Sequence, residues 1–301
     1  MRDSETLSVK GDGLPSFIGI GGQRCGSTSL WNLLRADQRL FLPDRKELHY
    51  FSNRDDEYRE DLANYRPYFA DALRGQLIGE FTPNYLTSAG ACMRIKAHLP
   101  NVKLLVVLRD PVSRAVSHYN YRVMRGQESR SMRSAMHADM KRCVEGDEVT
   151  NRHHAYCQMG MYGLGLDRYI QSFGRSKILV MLTEDLKNGS DVVRHRVGEF
   201  LELESGLALD SGEQHVANKI ATHPRIRSLE VWAQNTLRGN RERDGIWARS
   251  RCGVARRVKR LNRVQGTISP PDALKEELRG FFERDTELLS QMLDFELPWA
   301  K

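Results

Sequence analysis

The chain has 301 residues, of which 40% are hydrophobic and 28% charged, and its formal net charge is +7. This composition is ordinary for a soluble globular protein and excludes a fibrous or largely disordered chain. No apolar run approaches the about 20 residues of a membrane span, and the five scattered cysteines contain no Cys-x-x-Cys pair that would indicate a disulfide framework or a zinc site.

Short apolar segments alternate with amphipathic ones along the chain. A polar stretch at 1–15 lacks the apolar core of a signal peptide, so we expect a flexible tail and a cytoplasmic protein. Strands are predicted at 17–21, 77–80, 103–108 and 177–182, and helices at 27–36, 89–98, 112–124, 192–201 and 273–293. Wholly apolar strands that alternate with helices indicate a buried parallel sheet. We predict an α/β fold, a P-loop-like doubly wound parallel sheet flanked by helices, as a single domain over 16–301 with helical insertions near 125–160 and 225–270.

The first predicted strand leads into a glycine-rich turn, Gly21-Gly22-Gln23-Arg24-Cys25-Gly26, which precedes the first predicted helix. Such a turn directs backbone N–H groups and a helix N-terminus at one point, which suits a phosphate group. The spacing matches the start of a P-loop, but Ser27 stands where a P-loop has lysine, and Arg24 carries the charge from inside the turn. The pattern indicates an anion site that is not built for ATP and Mg²⁺.

The segment Arg45-Lys46-Glu47-Leu48-His49-Tyr50-Phe51 holds a carboxylate and an imidazole two residues apart. In an extended chain, alternation places Glu47, His49 and Phe51 on one side. A glutamate and a histidine that share a proton suit a general base that deprotonates a hydroxyl. On its own, the segment is also compatible with an ordinary surface loop.

Three further positions follow or end predicted strands. Gly21, Glu80 and Arg109 lie at the carboxyl ends of strands, the edge at which open parallel sheets bind ligands. Arg109 and Ser117, the latter on the next predicted helix, can converge on one anion, and a guanidinium with a hydroxyl suits a phosphate monoester. The alternative for Arg109 is a local salt bridge with Asp110.

Positive charge is concentrated in one part of the chain. Residues 238–263, the basic segment, hold ten Lys and Arg and two Asp and Glu, a net charge of +8, so the rest of the chain is close to neutral. Such a segment could bind nucleic acid, a membrane surface or an acidic polymer, or it could be a solvated loop. Trp247 is its only aromatic residue, which argues against nucleic acid.

Together the motifs resemble the sulfotransferases that use 3′-phosphoadenosine-5′-phosphosulfate (PAPS), in particular the branch that includes heparan sulfate sulfotransferases and their bacterial relatives. Residues 46–51 match the family pattern K-E-x-H-[FY]-F at every fixed position, and the resemblance runs from about Ser16 to Leu203. It implies a sulfotransferase that uses PAPS as co-substrate, releases adenosine 3′,5′-bisphosphate and needs no metal. The implied acceptor is a glycan or glycolipid.

The resemblance also assigns roles to residues. Glu47 would be the catalytic base, with His49 sharing the proton and Arg24 neutralising the leaving 5′-phosphate. Lys46 and Glu80 are expected on the acceptor side. The donor would be held by Arg24, Cys25, Gly26, Ser27, Thr28, Ser29, Arg109, Ser117, Lys219 and Arg225.

One departure limits the assignment of an acceptor. Phe81 stands where the heparan branch often has lysine, so heparan-type specificity is not implied. Two other function classes stay open at this point: a P-loop-type kinase or NTPase, and a nucleic-acid-binding module that uses the basic segment.

Overall fold

The computed structural model describes residues 13–52, 58–146, 153–188, 190–204, 206–207, 222–224 and 263–300, with a few isolated positions between 229 and 258. The chain divides into two compact units. The first comprises Met1–Pro111, Met159–Gln214 and Phe282–Lys301, and the second comprises Val112–Gln158 and His215–Phe281. The single-domain description over 16–301 stays a prediction.

The first unit is built on a five-stranded sheet in which every pairing is parallel. Its strands are β1 (Phe17–Gly21), β2 (Leu40–Phe41), β3 (Leu77–Phe81), β4 (Lys103–Leu108) and β5 (Ile178–Leu182), in the order β2-β3-β1-β4-β5. The order reverses at β1, so the carboxyl ends of β1 and β4 are neighbours at the switch point, where such sheets bind ligands. The predicted doubly wound parallel sheet is confirmed.

The strands are apolar because both faces of the sheet are covered. Every residue of β1 is buried, as are five of the six residues of β4. Four helices lie where the sequence predicts them, within two residues at each end: α1 (Ser27–Arg35), α2 (Ala89–His98), α3 (Pro111–Arg125) and α7 (Ser190–Phe200). Two more, α5 (Tyr162–Phe173) and α6 (Thr183–Asn188), lie outside the predicted helix ranges. The Ser88 hydroxyl caps α2 by accepting from the backbone N–H of Ala91, and α3 begins at Pro111, the position where proline is favoured.

In the second unit, most of α3 is joined by α4 (Met132–Glu145), which lies in the predicted insertion near 125–160. Two short strands, β6 (Thr222–Pro224) and β7 (Arg263–Gln265), pair antiparallel. The last helix, α8 (Asp272–Gln291), begins in the second unit and ends in the first. Within the described ranges, no helix combines the length and the apolar character needed to cross a membrane.

Candidate active site

The turn between β1 and α1 forms the base of the candidate site. The Gly22 N–H donates to the carbonyl of Val107 on β4 at 2.6 Å, which ties the turn to the neighbouring strand end. Gly26 adopts a left-handed backbone, φ 97°, and no side chain caps α1 at this position. The N–H groups that open a helix have no partner within it. The N–H groups of Ser27 and Thr28 therefore open α1 as potential donors to an anion.

The side chain of Cys25 points to the buried side of this turn. Its side chain is buried, with Sγ 3.3 Å from the hydroxyl oxygen of Tyr162, and its N–H donates to the Gly22 carbonyl at 3.2 Å. The Thr183 hydroxyl lies 2.6 Å from the Cys25 carbonyl oxygen and 3.0 Å from that of Leu108. Its side chain and N–H are thus both engaged inside the turn, and the assignment of Cys25 to the donor stays a prediction.

Lys46 supplies the ammonium that the turn itself lacks. Its Nζ lies 3.1 Å from Ser27 Oγ and 3.2 Å from Thr28 Oγ1, and 3.4 Å from Glu47 Oε1. Burial lowers the pKa of Lys46; the Glu47 carboxylate opposes this shift, and the nearby positive charge of Arg24 adds to it. The sequence placed Lys46 on the acceptor side, whereas the structure places its ammonium on the hydroxyls of the turn.

Glu47 and His49 meet, but not for the reason that the sequence suggested. Both residues have left-handed backbones, with φ 62° and 58°, so the segment is not extended. Glu47 Oε2 lies 3.7 Å from His49 Nε2, and the two side chains are 35% and 30% exposed, so both reach solvent. Phe51, expected on the same side, is instead buried in the core within a short 3₁₀ turn, Tyr50–Ser52.

Hydrogen bonds fix this segment to the end of β3 and the residues after it. The Glu47 N–H donates to the Phe81 carbonyl at 2.9 Å, and the His49 N–H donates to Thr82 Oγ1 at 3.3 Å. The Phe51 N–H donates to the Tyr85 hydroxyl at 3.2 Å. Backbone hydrogen bonds thus position the segment that carries Glu47, whose side chain contacts Lys46 and His49.

Glu80 is a buried carboxylate with three hydroxyl partners in the protein. Its side chain is 1% exposed, and its carboxylate accepts hydrogen bonds from the hydroxyls of Tyr65 (2.6 Å), Tyr85 (3.0 Å) and Thr82. Burial raises the pKa of Glu80, and these three hydrogen bonds oppose the shift. Its three protein donors occupy a carboxylate that solvent does not reach, and the acceptor-side assignment of Glu80 stays a prediction.

Comparison with known proteins identifies the family. The Sulfotransferase domain model matches residues 16–230. The chain belongs to the sulfotransferase domain family. It is 30% identical over 194 residues to heparan sulfate glucosamine 3-O-sulfotransferase 3B1 of Mus musculus, a match that covers 63% of this chain and 46% of that protein. It is also 30% identical over 193 residues to heparan sulfate glucosamine 3-O-sulfotransferase 6 of Homo sapiens, covering 63% of this chain and 52% of that protein.

The chain therefore spans about half the length of these curated relatives. A crystal structure of a sulfotransferase from Alicyclobacillus acidocaldarius superposes with a TM-score of 0.68 at 24% identity, covering 96% of this chain and 99% of that one. At this identity the superposition supports the fold of the sulfotransferase domain.

The remaining predicted site residues lie at the start of α1, after β4, on α3 and in the C-terminal third of the chain. Arg109 follows β4 in the first unit and Ser117 lies on α3 in the second, and both are partly buried. Ser29 is exposed in the first turn of α1. Lys219 and Arg225 lie outside the described residues, as does most of the basic segment.

Some residues of the site were not found by sequence reasoning. These are Thr183, Tyr65, Thr82, Asn84 and Tyr85. For four of them the sequence signal is position: Thr183 follows the predicted strand at 177–182, and Thr82, Asn84 and Tyr85 follow the predicted strand at 77–80. Tyr65 has no such signal. Across the part of the chain that the structure describes, no three His, Cys, Asp or Glu side chains gather as a metal site would require.

Proposed function

We propose that this domain transfers a sulfuryl group from PAPS to a hydroxyl or amine of a glycan or glycoconjugate. One observation carries the proposal: the Lys46 ammonium lies between the hydroxyls of Ser27 and Thr28 and the carboxylate of Glu47. A group that binds an anion and a group that can take a proton are thereby adjacent, as transfer of an anionic group to a hydroxyl requires.

The donor end of the site suits a phosphosulfate. The hydroxyls of Ser27 and Thr28, the opening N–H groups of α1 and two cations, Lys46 and Arg24, are all suited to a compact anion. We assign the 3′-phosphate of the donor to Arg109 and Ser117, with Lys219 and Arg225 as further contacts, on the family resemblance of their sequence positions.

In the proposed reaction, Glu47 accepts the proton of the acceptor hydroxyl, and His49 shares that proton. The acceptor oxygen forms a bond to sulfur while the bond between sulfur and the 5′-phosphate oxygen breaks. Lys46, Arg24 and the N–H groups of α1 stabilise the negative charge that develops on the departing phosphate. Positioning and fixed charge thus provide most of the catalysis, as they do in phosphoryl transfer.

The acceptor class rests on the relatives and on charge. The curated relatives are named for heparan sulfate glucosamine, an anionic glycan unit, and the basic segment with a net charge of +8 suits an acidic polymer. Phe81 replaces the lysine of the heparan branch, so we propose a glycan or glycolipid without assigning its sulfation position. The cytoplasmic location stays a prediction from the sequence.

Incubation of the full chain with ³⁵S-labelled PAPS and a panel of glycans, glycolipids and small phenols tests the function. Titration calorimetry with adenosine 3′,5′-bisphosphate and with ATP·Mg²⁺ tests the donor separately. We expect binding of the bisphosphate and label transfer to at least one glycan. Tight binding of ATP·Mg²⁺ without binding of the bisphosphate would overturn the proposal in favour of a kinase or NTPase.

A further inference from the structure

Asn84 contacts the imidazole ring of His49 at the nitrogen that does not face Glu47. Asn84 Oδ1 lies 2.8 Å from His49 Nδ1, whereas His49 Nε2 lies 3.7 Å from Glu47 Oε2. Asn84 is only 5% exposed, so solvent does not compete freely for its amide. The two ring nitrogens therefore have different partners, and the partner of one can determine the protonation of the other.

A second contact orients the amide of Asn84. Its Nδ2 donates to Ser52 Oγ at 3.1 Å, and the Ser52 hydroxyl donates to the His49 carbonyl at 3.3 Å. Because the Ser52 proton is used toward this carbonyl, its oxygen is the acceptor for the Asn84 N–H₂ group. The amide oxygen then faces the ring, and an oxygen can only accept. His49 Nδ1 must therefore carry a hydrogen in this arrangement.

We propose that Asn84 is a positioning residue for proton transfer, because its amide oxygen holds His49 in the tautomer with hydrogen on Nδ1. Nε2 then faces Glu47 with a lone pair and is the atom that takes up and releases the shared proton. When the proton moves from Glu47 Oε2 to His49 Nε2, the resulting imidazolium has an acceptor at each nitrogen, Asn84 Oδ1 and Glu47 Oε2. This inference rests on the proposed function.

Several described groups contact the pair of Glu47 and His49. Glu47 faces Nε2, Asn84 faces Nδ1, and the Thr82 hydroxyl binds the backbone N–H of His49. The Lys46 ammonium lies 3.4 Å from the other oxygen of the Glu47 carboxylate. Because the ammonium occupies Oε1, Oε2 is the oxygen that faces His49. In this proposal Oε1 pairs with the cation and Oε2 exchanges the proton.

Three variants separate this role from a purely structural one. Asn84→Leu keeps the size but removes the amide oxygen, and Asn84→Asp keeps an oxygen for Nδ1 while losing the donor to Ser52. Thr87→Val is the matched control, because the Thr87 hydroxyl donates to the backbone carbonyl of Asn84 at 3.5 Å and leaves its amide untouched. Thermal melting of each variant reports whether it is folded.

We expect Asn84→Leu to lose about 10–100-fold in kcat, by analogy with the loss of partners that orient metal-bound histidines, with unchanged affinity for adenosine 3′,5′-bisphosphate. Asn84→Asp should stay within a few-fold of the parent protein, and the acidic limb of its kcat profile should move to higher pH because the new carboxylate stabilises the imidazolium. Equal losses in the Leu and Asp variants would overturn the proposal.

Nitrogen-15 NMR of the free parent protein provides a readout that does not depend on activity. The ring signals of His49, assigned by their loss in His49→Ala, should show hydrogen on Nδ1 at a pH where the ring is neutral. Hydrogen on Nε2 would overturn the proposal even if every variant folded poorly. Absence of label transfer with the Nδ1 tautomer present would instead reject the proposed function and leave the tautomer assignment standing.

Discussion

The ammonium of Lys46 lies 3.1 Å from the hydroxyl oxygen of Ser27, although the two residues are 19 positions apart in sequence. The same ammonium is 3.4 Å from the carboxylate of Glu47, the next residue in the chain. The segment that holds the proposed base therefore also supplies a cation to the anion-binding turn.

The first prediction concerns the proposed base. Glu47→Gln should lower kcat by ~10²–10⁴-fold because the amide cannot accept the acceptor's proton, while affinity for adenosine 3′,5′-bisphosphate is retained. Single-turnover transfer from labelled PAPS and calorimetry measure the two effects. Glu199→Gln, an exposed carboxylate on α7, is the matched control. Near-normal turnover in Glu47→Gln would show that another group takes the proton.

The second prediction concerns the charge of Lys46. Since burial lowers its pKa, the alkaline loss of donor affinity should begin below the pH at which an ordinary lysine, with a pKa of about 10.4, would cause it. Lys46→Arg keeps its charge at these pH values and should remove that alkaline limb. Lys46→Met should bind the bisphosphate weakly at every pH. Calorimetry from pH 7 to 10 measures the profile, and an unchanged limb in Lys46→Arg contradicts the assignment.

The third prediction concerns the 3′-phosphate. Arg109→Ala should lose about 1.5–3 kcal/mol of binding to adenosine 3′,5′-bisphosphate, the range for hydrogen bonds to charged groups. Adenosine 5′-phosphate lacks the 3′-phosphate and is the matched ligand, so its affinity should be the same for the variant and the parent protein. Equal losses for both nucleotides would mean that Arg109 acts elsewhere on the donor.

The fourth prediction concerns Glu80 and stability. Because its pKa is raised on folding, Glu80 binds its proton more tightly in the native state. Its stabilising contribution is present below the unfolded pKa of about 4.3 and is lost as the pH rises through the folded pKa. Glu80→Gln has no such titration. The free energy of unfolding of the variant minus that of the parent protein should therefore increase from pH 4 to pH 8 in urea titrations.

Glu202→Gln is the matched control for this measurement. The Lys103 ammonium, 2.7 Å from Glu202, lowers the pKa of that exposed carboxyl, so the same difference should decrease with pH. A difference for Glu80→Gln that stays constant, or that falls as it does for Glu202→Gln, would show that the native state does not favour protonated Glu80.

Local patterns in the sequence predict the sheet and the turn well. The bounds of β1, β4 and α2 are those predicted, because runs of apolar residues and helix-capping signals are read within a few residues. The sequence does not predict contacts between distant segments in the same way. The hydroxyls of Tyr65 and Tyr85 both donate to the carboxylate of Glu80, although these residues lie 15 and 5 positions from it in sequence. These contacts form only when the chain folds back onto β3.

Glu47 and His49 lie close together as predicted, but not because the chain is extended, as the prediction assumed. The sequence predicts that Glu47 and His49 share one side because side chains alternate in an extended chain. In the structure, left-handed backbones at both residues bring the two side chains together. No composition rule predicts a left-handed glutamate, because the conformation is unfavourable locally and is held by the contacts with Phe81 and Thr82.

Five described residues other than glycine have a positive φ, and Arg24, Glu47 and His49 are three of them. Glycine or asparagine tolerates this conformation better, so such a substitution at any of the three would relieve strain in the folded chain. A directed-evolution screen that selects only for thermostability should therefore enrich changes at these positions. We expect the selected proteins to be more thermostable but inactive. Selection for thermostability must therefore be coupled to a turnover assay if the stabilised enzyme is to stay active.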